Sequence, residues 1–314
     1  MKPSSLGDVV HTLPSAAILR RAFPAAHIRW VINTEWMPLL QGNPDVDEVV
    51  EFPRRELGGA AGLFRTARWA RAVRDRVRPD VILDYQGLLR SALISRLCRR
   101  ADARLFGLSD AREGSRLFYD RVIDTSGAVH AVERYLALTR AVTGDAEKGE
   151  PLTWHLPAGE MPVGFDASEP YVVFHPFSRG AGKSLTPEQV SEFSRVLAPH
   201  RVVVVGRTSE PLPEISNAFD LLNRTTLLEL IWLIRHARFT VSVDSGPMHI
   251  AAALSERLVS IHTWSDPAKV GPYRLNAWVW KDGKLFMQQD RDNSSGSREV
   301  SDVPALAEFV KTQL

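Results

Sequence analysis

The chain has 314 residues, 44% of them hydrophobic and 24% charged, with a formal net charge of +2; this is an ordinary globular composition, in a length that asks for two hydrophobic cores rather than one. Its single cysteine, Cys98, excludes an internal disulfide framework and a cysteine-based zinc cluster, and reads as a small apolar core residue in a reducing compartment. No apolar run is long enough to span a bilayer and no signal-peptide pattern opens the chain, so a cytoplasmic location is expected.

In chain order the first feature is Ser4-Ser5-Leu6-Gly7-Asp8-Val9-Val10-His11-Thr12-Leu13-Pro14. Two hydroxyl residues and a glycine lead into an aspartate on the first turn of a helix. That places the Asp8 carboxylate at a tight bend, where it is either a general base or a simple helix cap. A turn of this kind normally follows a hydrophobic strand, yet only Met1, Lys2 and Pro3 stand before it. The first strand of the amino-terminal sheet is therefore expected to be missing, which leaves neighbouring edges unpaired.

Strands are expected over 27–32, 46–52 and 81–84, then over 171–175, 201–206, 239–244 and 258–262, separated by stretches of helical period. This alternation predicts parallel α/β architecture. Asp45-Val46-Asp47 imitates a metal-binding Asp-x-Asp, but it follows Asn43-Pro44 and enters a strand, so turn chemistry accounts for it. From Arg54 to Arg121 there are 16 arginines against 8 acidic residues, a balance that points to an anionic partner. Nucleic acid is not expected, because its recognition motifs are absent; a phosphate-bearing substrate is preferred. Residues 65–78, with Phe64 and Trp69 interleaved, fit either a solvated helix or one lying on an anionic membrane. Pro157, Pro162 and Pro170 with Gly159 and Gly164 mark a linker. The expected organisation is a domain over 1–160, a second over 161–300, and a helix within 301–314, opened by Ser301-Asp302, that packs back on the amino-terminal domain.

In the second half, the loop from His175 to Ser184 imitates a phosphate-binding P-loop. Phe177 stands where its first glycine belongs, and Thr186-Pro187-Glu188-Gln189 starts the helix too late. The loop still offers Arg179 and Lys183 as cations for a phosphate group. Further on, a strand ends at Asp244, Ser245 and Gly246 make a turn, and an alanine-rich helix follows. Free N–H groups and the positive end of the helix dipole form an anion site there that suits a diphosphate. Within it, His249 reads first as a structural histidine. No His, Asp and Glu cluster has ligand spacing, so neither metal nor cofactor is expected, and the protein itself must neutralise a leaving diphosphate.

Together with the first segment, Asp84-Tyr85-Gln86-Gly87-Leu88-Leu89-Arg90-Ser91-Ala92, Ala111-Arg112-Glu113-Gly114-Ser115-Arg116-Leu117-Phe118-Tyr119, His130-Ala131-Val132-Glu133-Arg134 and Asp244-Ser245-Gly246-Pro247-Met248-His249 resemble the lipopolysaccharide heptosyltransferases of glycosyltransferase family 9. The likeness covers nearly the whole chain in order, and the middle three segments are most similar to the heptosyltransferase I branch. It implies a GT-B fold of two Rossmann-like domains facing a central cleft, ADP-heptose as donor, inversion at the anomeric carbon and no metal. By position it implies Asp8 as catalytic base and Lys183 as a catalytic, phosphate-contacting cation with Arg179 beside it. Asp244, Ser245, Gly246 and His249 match the donor-contacting motif, and Glu210 matches a ribose-binding acid.

Arg54, Arg55 and Arg112 are the candidate contacts to a Kdo-lipid A acceptor, with Gln86 and Arg90 behind them. Thr263-Trp264-Ser265-Asp266-Pro267 replaces the family's Gly-Pro-Thr-Asp-Pro type of loop, so Trp264 is expected to reshape the sugar or adenine pocket. The resemblance further implies a monomer at the inner face of the inner membrane. Two alternatives stay open: a family 9 transferase with another sugar or acceptor, and a catalytically silent nucleotide-sugar-binding homologue.

Overall fold

The computed structural model describes residues 1–57, 62–144, 150–180, 182–274, 276–290 and 300–314, and the chain divides into units spanning Met1–Leu156 and Pro157–Leu314. No described helix is long and apolar enough to cross a membrane.

The first unit runs α1 (Leu6–Ala22), β1 (Arg29–Asn33), β2 (Glu48–Phe52), α2 (Gly62–Val77), β3 (Val81–Asp84), α3 (Leu89–Cys98), β4 (Arg104–Leu108), β5 (Arg121–Ile123) and α4 (Ala131–Thr143). Its strands form two parallel ladders, β1-β2 and β3-β4-β5. No regular strand precedes α1 among the described residues, but the edges beside the gap are not wholly unpaired. Lys2 donates its N–H to the Val31 carbonyl at 3.3 Å, and Asn33 donates to Pro3 at 3.1 Å. On the other side the Met1 amino group donates to the Leu83 carbonyl at 2.8 Å, and Tyr85 donates to Met1 at 3.1 Å. Three residues thus tie the two ladders together at the end nearest α1.

Apolar faces set the layers of this unit. Val73 and Ala70 of α2 and Ile94 and Cys98 of α3 pack with Val50 and Phe52, while Tyr135 and Leu138 of α4 pack with Leu83, Phe106 and Leu108. Burial pushes the Cys98 thiol up to about 12, which keeps it protonated and inert, as expected of a core cysteine. Phe64, Arg65, Arg68 and Arg71 of α2 face solvent, and Trp69 sits edge-on to Phe52 with ring centroids 5.3 Å apart. Gly107 on β4 is required by packing, because a Cβ there would lie 2.1 Å from the Tyr119 ring.

The second unit runs β6 (Tyr171–His175), α5 (Pro187–Val196), β7 (Arg201–Val204), β8 (Ala218–Asp220), α6 (Leu227–His236), β9 (Phe239–Val243), α7 (Gly246–Leu254), β10 (Leu258–His262), α8 (Pro267–Val270), β11 (Trp278–Lys281), β12 (Lys284–Met287) and α9 (Val303–Thr312). The strand order is β12-β11-β10-β9-β6-β7-β8, parallel except for antiparallel β12. Strands β6, β9 and β10 are buried at every position, as strands covered on both faces must be.

Two expectations about this half change. Residues 157–170 have linker composition, yet part of the segment is pinned to α6: Glu160 donates to the Leu228 carbonyl at 3.1 Å and Arg235 to the Pro157 carbonyl at 2.7 Å. Gly159, at φ +84°, fits only without a Cβ, which would lie 2.5 Å from the Trp232 nitrogen. The carboxyl-terminal helix, expected on the first domain, instead buries Val303, Leu306, Ala307 and Val310 in the second unit's core. Its apolar stripe meets α5, which offers Val190, Phe193 and the following Leu197.

Candidate functional site

In the first unit the site is built on the amino-terminal turn of α1. Ser5 caps the helix and holds one oxygen of Asp8 twice, by its N–H at 3.1 Å and its hydroxyl at 2.7 Å. The other oxygen accepts the Tyr135 hydroxyl of α4 at 2.7 Å and lies 3.5 Å from the Lys2 ammonium. Lys2, 2% exposed, also donates to Tyr135 Oη at 2.8 Å and to the Tyr85 carbonyl at 3.1 Å. Burial pushes the Asp8 carboxyl up, but Lys2, Ser5 and Tyr135 together outweigh it and hold the group at about 2. Burial conversely lowers the Lys2 ammonium, against the opposing pull of Asp8. The Asp8 side chain keeps 36% of its surface exposed, so an ionised carboxylate faces outward from a fully bonded base.

The matched segments of this unit meet around that turn. Gln86 braces the Ser4 N–H through its side-chain oxygen at 3.2 Å. Arg112 donates its backbone N–H to Gly87 at 2.8 Å, and Leu89 donates to the Glu113 carboxylate at 3.2 Å, which locks the loops after β3 and β4 together. Beneath them Asp84, fully buried, accepts the Ser91 and Tyr119 hydroxyls at 2.8 and 2.9 Å; burial raises its carboxyl. Arg54, Arg55 and Arg112 have exposed side chains. Arg90 stands 5.2 Å over the Phe52 ring, and burial and then Arg54 lower its guanidinium. Gln86 thus serves as a brace as well as a candidate contact. Lys2 and Tyr135 were not singled out by sequence; Tyr135 follows the His130–Arg134 segment by one residue.

In the second unit the candidates lie at the carboxyl ends of four adjacent strands. Arg179 and Lys183 follow β6, Glu210 follows β7, Asp244, Ser245 and Gly246 follow β9, and Trp264 and Ser265 follow β10. Strands on opposite sides of β6 continue in opposite directions, the topology that opens a ligand crevice in such sheets. Lys183 bonds Asp244 at 2.5 Å and stands 4.7 Å over the Trp264 ring. Burial pushes Asp244 up, yet His262, Lys183 and His249 together lower it.

Ser245 caps α7, whose first turn presents its N–H groups at this edge. The Ser245 hydroxyl lies 3.2 Å from His175 Nδ1. His175 packs under Gly206, where a Cβ would be 3.3 Å from the ring. Burial pushes both His175 and His262 down to about 4, so both imidazoles are neutral near pH 7. His262 Nε2 is buried without a hydrogen-bond partner among the described residues, while its Nδ1 lies 3.0 Å from Ser265. His249 is buried in the first turns of α7. Arg179 and Glu210 lie on exposed loops, and the Glu210 N–H is anchored by Thr208 at 3.0 Å; Ala181, in the loop between Arg179 and Lys183, lies outside the described residues.

Comparison with known proteins places this arrangement. Lipopolysaccharide heptosyltransferase 1 of Salmonella typhimurium is 28% identical over 295 residues, covering 88% of this chain and 91% of that one. Lipopolysaccharide heptosyltransferase 2 of the same organism is 27% identical over 310 residues, covering 88% and 85%. Among solved structures, E. coli heptosyltransferase WaaC with ADP has a TM-score of 0.78 at 23% identity, covering 100% of this chain and 98% of that one. E. coli ADP-heptose lps heptosyltransferase II has a TM-score of 0.75 at 21% identity, covering 99% and 96%. The architecture is the α/β GT-B fold of these proteins. The model of glycosyltransferase family 9 (heptosyltransferase) matches residues 67–295, well over half of the chain, and the chain therefore belongs to that family of glycosyltransferases.

Proposed function

We propose that the chain transfers a heptosyl group from ADP-heptose to the Kdo inner core of a lipid A acceptor, with inversion and without a metal ion. The observation that carries this reading is the Asp8 carboxylate, ionised, half-exposed and held in one orientation by Ser5, Tyr135 and Lys2. The acceptor hydroxyl attacks the anomeric carbon from the face opposite the nucleotide. Its proton passes to Asp8, and the bond from the anomeric carbon to the diphosphate oxygen breaks. A carboxylate held at about 2 is a weak base, so it takes the proton late, when the attacking oxygen has become acidic.

The charge that grows on ADP falls to Lys183, Arg179 and the amino-terminal turn of α7, electrostatic contributions of roughly 3 to 4 kcal/mol per well-placed donor. Among the described residues no three His, Cys, Asp or Glu gather as a metal site. Solved relatives carry ADP and ADP-2-deoxy-2-fluoro heptose, which supports the donor. Arg54, Arg55, Arg112, Gln86 and Arg90 are assigned to the acceptor's phosphates and carboxylates, and Glu210 to the ribose. The exposed arginines of α2 suit a monomer working at the cytoplasmic face of an anionic membrane.

Incubation with ADP-heptose and Kdo-lipid A, with ADP release and acceptor mass as readouts, tests the proposal. Heptose transfer that Asp8→Asn abolishes is the expected result. Transfer only to an acceptor already carrying one heptose would move the assignment to the second step, and donor binding with no transfer to either acceptor would reduce the chain to a binding protein.

A further inference from the structure

Asp244 donates its N–H to the Ile261 carbonyl at 2.9 Å, which carries the β9-β10 ladder one position past the Val243–Ile261 pair. The side chains of Asp244 and His262 therefore stand on one face of the sheet, a strand spacing apart. Lys281 of β11 pairs with His262 on the other side, and all three residues are buried. Lys183 holds Asp244 at 2.5 Å and Ser265 Oγ meets His262 Nδ1 at 3.0 Å, but His262 Nε2 has no hydrogen-bond partner among the described residues. Facing the imidazole are Asp244 at the end of β9, His249 of α7, Lys183 of the loop after β6 and Lys281. Burial and the three cationic or imidazole neighbours keep a proton off the ring, while Asp244, the strongest of the four, favours one.

We infer that His262 is the reserve partner of Asp244, and so a positioning residue for the donor: when a diphosphate draws Lys183 away, the imidazole takes a proton from solvent at Nε2 and donates it to the Asp244 carboxylate. The inference rests on the donor reading above. A lysine held by a carboxylate must leave it to reach a phosphate oxygen, and the carboxylate left behind is then a buried anion beside an incoming anion. An uncompensated charge of that kind is strongly unfavourable. His262 lies in register next to it with one ring nitrogen unused. The resting ring carries its proton on Nδ1, donated to Ser265 Oγ, and the imidazolium keeps that bond while Nε2–H meets Asp244. The trigger is electrostatic, since withdrawing one cation and adding a diphosphate both strengthen the hold of the imidazole on a proton. Proton uptake and donor binding then favour each other equally, as linkage requires. Donor affinity consequently falls as pH rises through the titration midpoint that His262 has in the complex.

Titration of the His262 ring by NMR in the full chain, with its resonances assigned by their loss in His262→Gln, tests this. Without ligand, Lys183→Met, or Lys183→Gln should the first not fold, is expected to raise the His262 midpoint by about one pH unit, and Asp244→Asn added to it to cancel the rise. Saturating ADP is expected to raise the wild-type midpoint by about two units or more. In calorimetry His262→Phe should weaken ADP binding about tenfold or more near pH 5 and less than about twofold near pH 7.5, the titration of ADP itself being common to both proteins. An unmoved midpoint in Lys183→Met overturns the inference, as does a rise that survives Asp244→Asn. A loss of affinity equal at both pH values also overturns it, because the ring then only fills space. ADP that binds without moving the midpoint overturns the exchange and leaves the donor reading standing, whereas ADP that does not bind removes both.

Discussion

The two halves of the candidate chemistry are prepared differently. Around Asp8 every partner comes from the protein, and both carboxylate oxygens are occupied by Ser5, Tyr135 and Lys2. Around Lys183 the groups are matched less closely: the cation is shared between Asp244 and the face of Trp264, and the buried His262 Nε2 has no hydrogen-bond partner among the described residues. A base must be aimed before its substrate arrives, so fixing it contributes to catalysis. A cation meant for a leaving diphosphate must instead be able to exchange one anion for another, and Asp244 holds Lys183 in an ion pair until that exchange.

The sharpest way to break this contrast is at the base. Asp8→Asn should lower kcat by about 10² to 10⁴-fold and leave the ADP dissociation constant unchanged in calorimetry; a weakened ADP affinity would show that Asp8 does not act on the acceptor side alone. Lys183→Ala should cost about 10² to 10³-fold in kcat and, unlike the first variant, weaken ADP binding, because it also leaves Asp244 as an unpaired anion facing the diphosphate. Adding Asp244→Asn to it should restore part of that affinity.

A subtler test concerns charge inside the first unit. In Lys2→Met the Asp8 carboxyl loses its cation and rises toward the ordinary value near 3.9, so the acid limb of kcat/KM should move up by about one pH unit or more. The sign for stability is the same. With a folded value of about 2 below the unfolded one, Asp8 stabilises the fold above roughly pH 4 and loses that effect as pH falls through about 2. Acid unfolding of Lys2→Met followed by circular dichroism should therefore begin at higher pH. Tyr135→Phe removes the hydrogen bond donated to Asp8 and the one accepted from Lys2, each worth about 1 kcal/mol, and should lower kcat by about fivefold or more with KM for the donor unchanged.

Much of this arrangement was legible in the sequence because it is local. The placing of Asp8 on the first turn of α1, where it accepts the Ser5 N–H, and the capping of α5 by Thr186 and of α9 by Asp302 depend on residues three apart, and the strand-to-helix turn at Asp244–Gly246 is contiguous. Strands β1, β2, β3, β6, β7, β9 and β10 were expected from their apolar runs, within a few residues of their observed ends. Strands β4, β5, β8, β11 and β12 were not: β5 and β8 have three residues each, β4 starts in an arginine-rich stretch, and the β11-β12 hairpin was overlooked although Asp282-Gly283 between its strands is a two-residue turn signal. Lys2 looked like an ordinary terminal charge, since its partner Tyr135 is 133 positions away. Such a pairing exists only once β1, β3 and α4 are assembled.

Gly107 gives a last consequence, in terms of which substitutions a population of this gene would tolerate. The position is a strand interior with no link to any ligand, and by propensity alone Ala should improve it. The Tyr119 ring occupies the place of the missing side chain, and its hydroxyl bonds buried Asp84, which in turn holds Ser91 and the Gln86 N–H. A single methyl would evict the ring and strand that carboxyl. In a scan of all substitutions, Gly107 should therefore score among the least permissive positions of the first unit, well above exposed Arg54 or Arg112 in its intolerance, although it touches nothing that reacts.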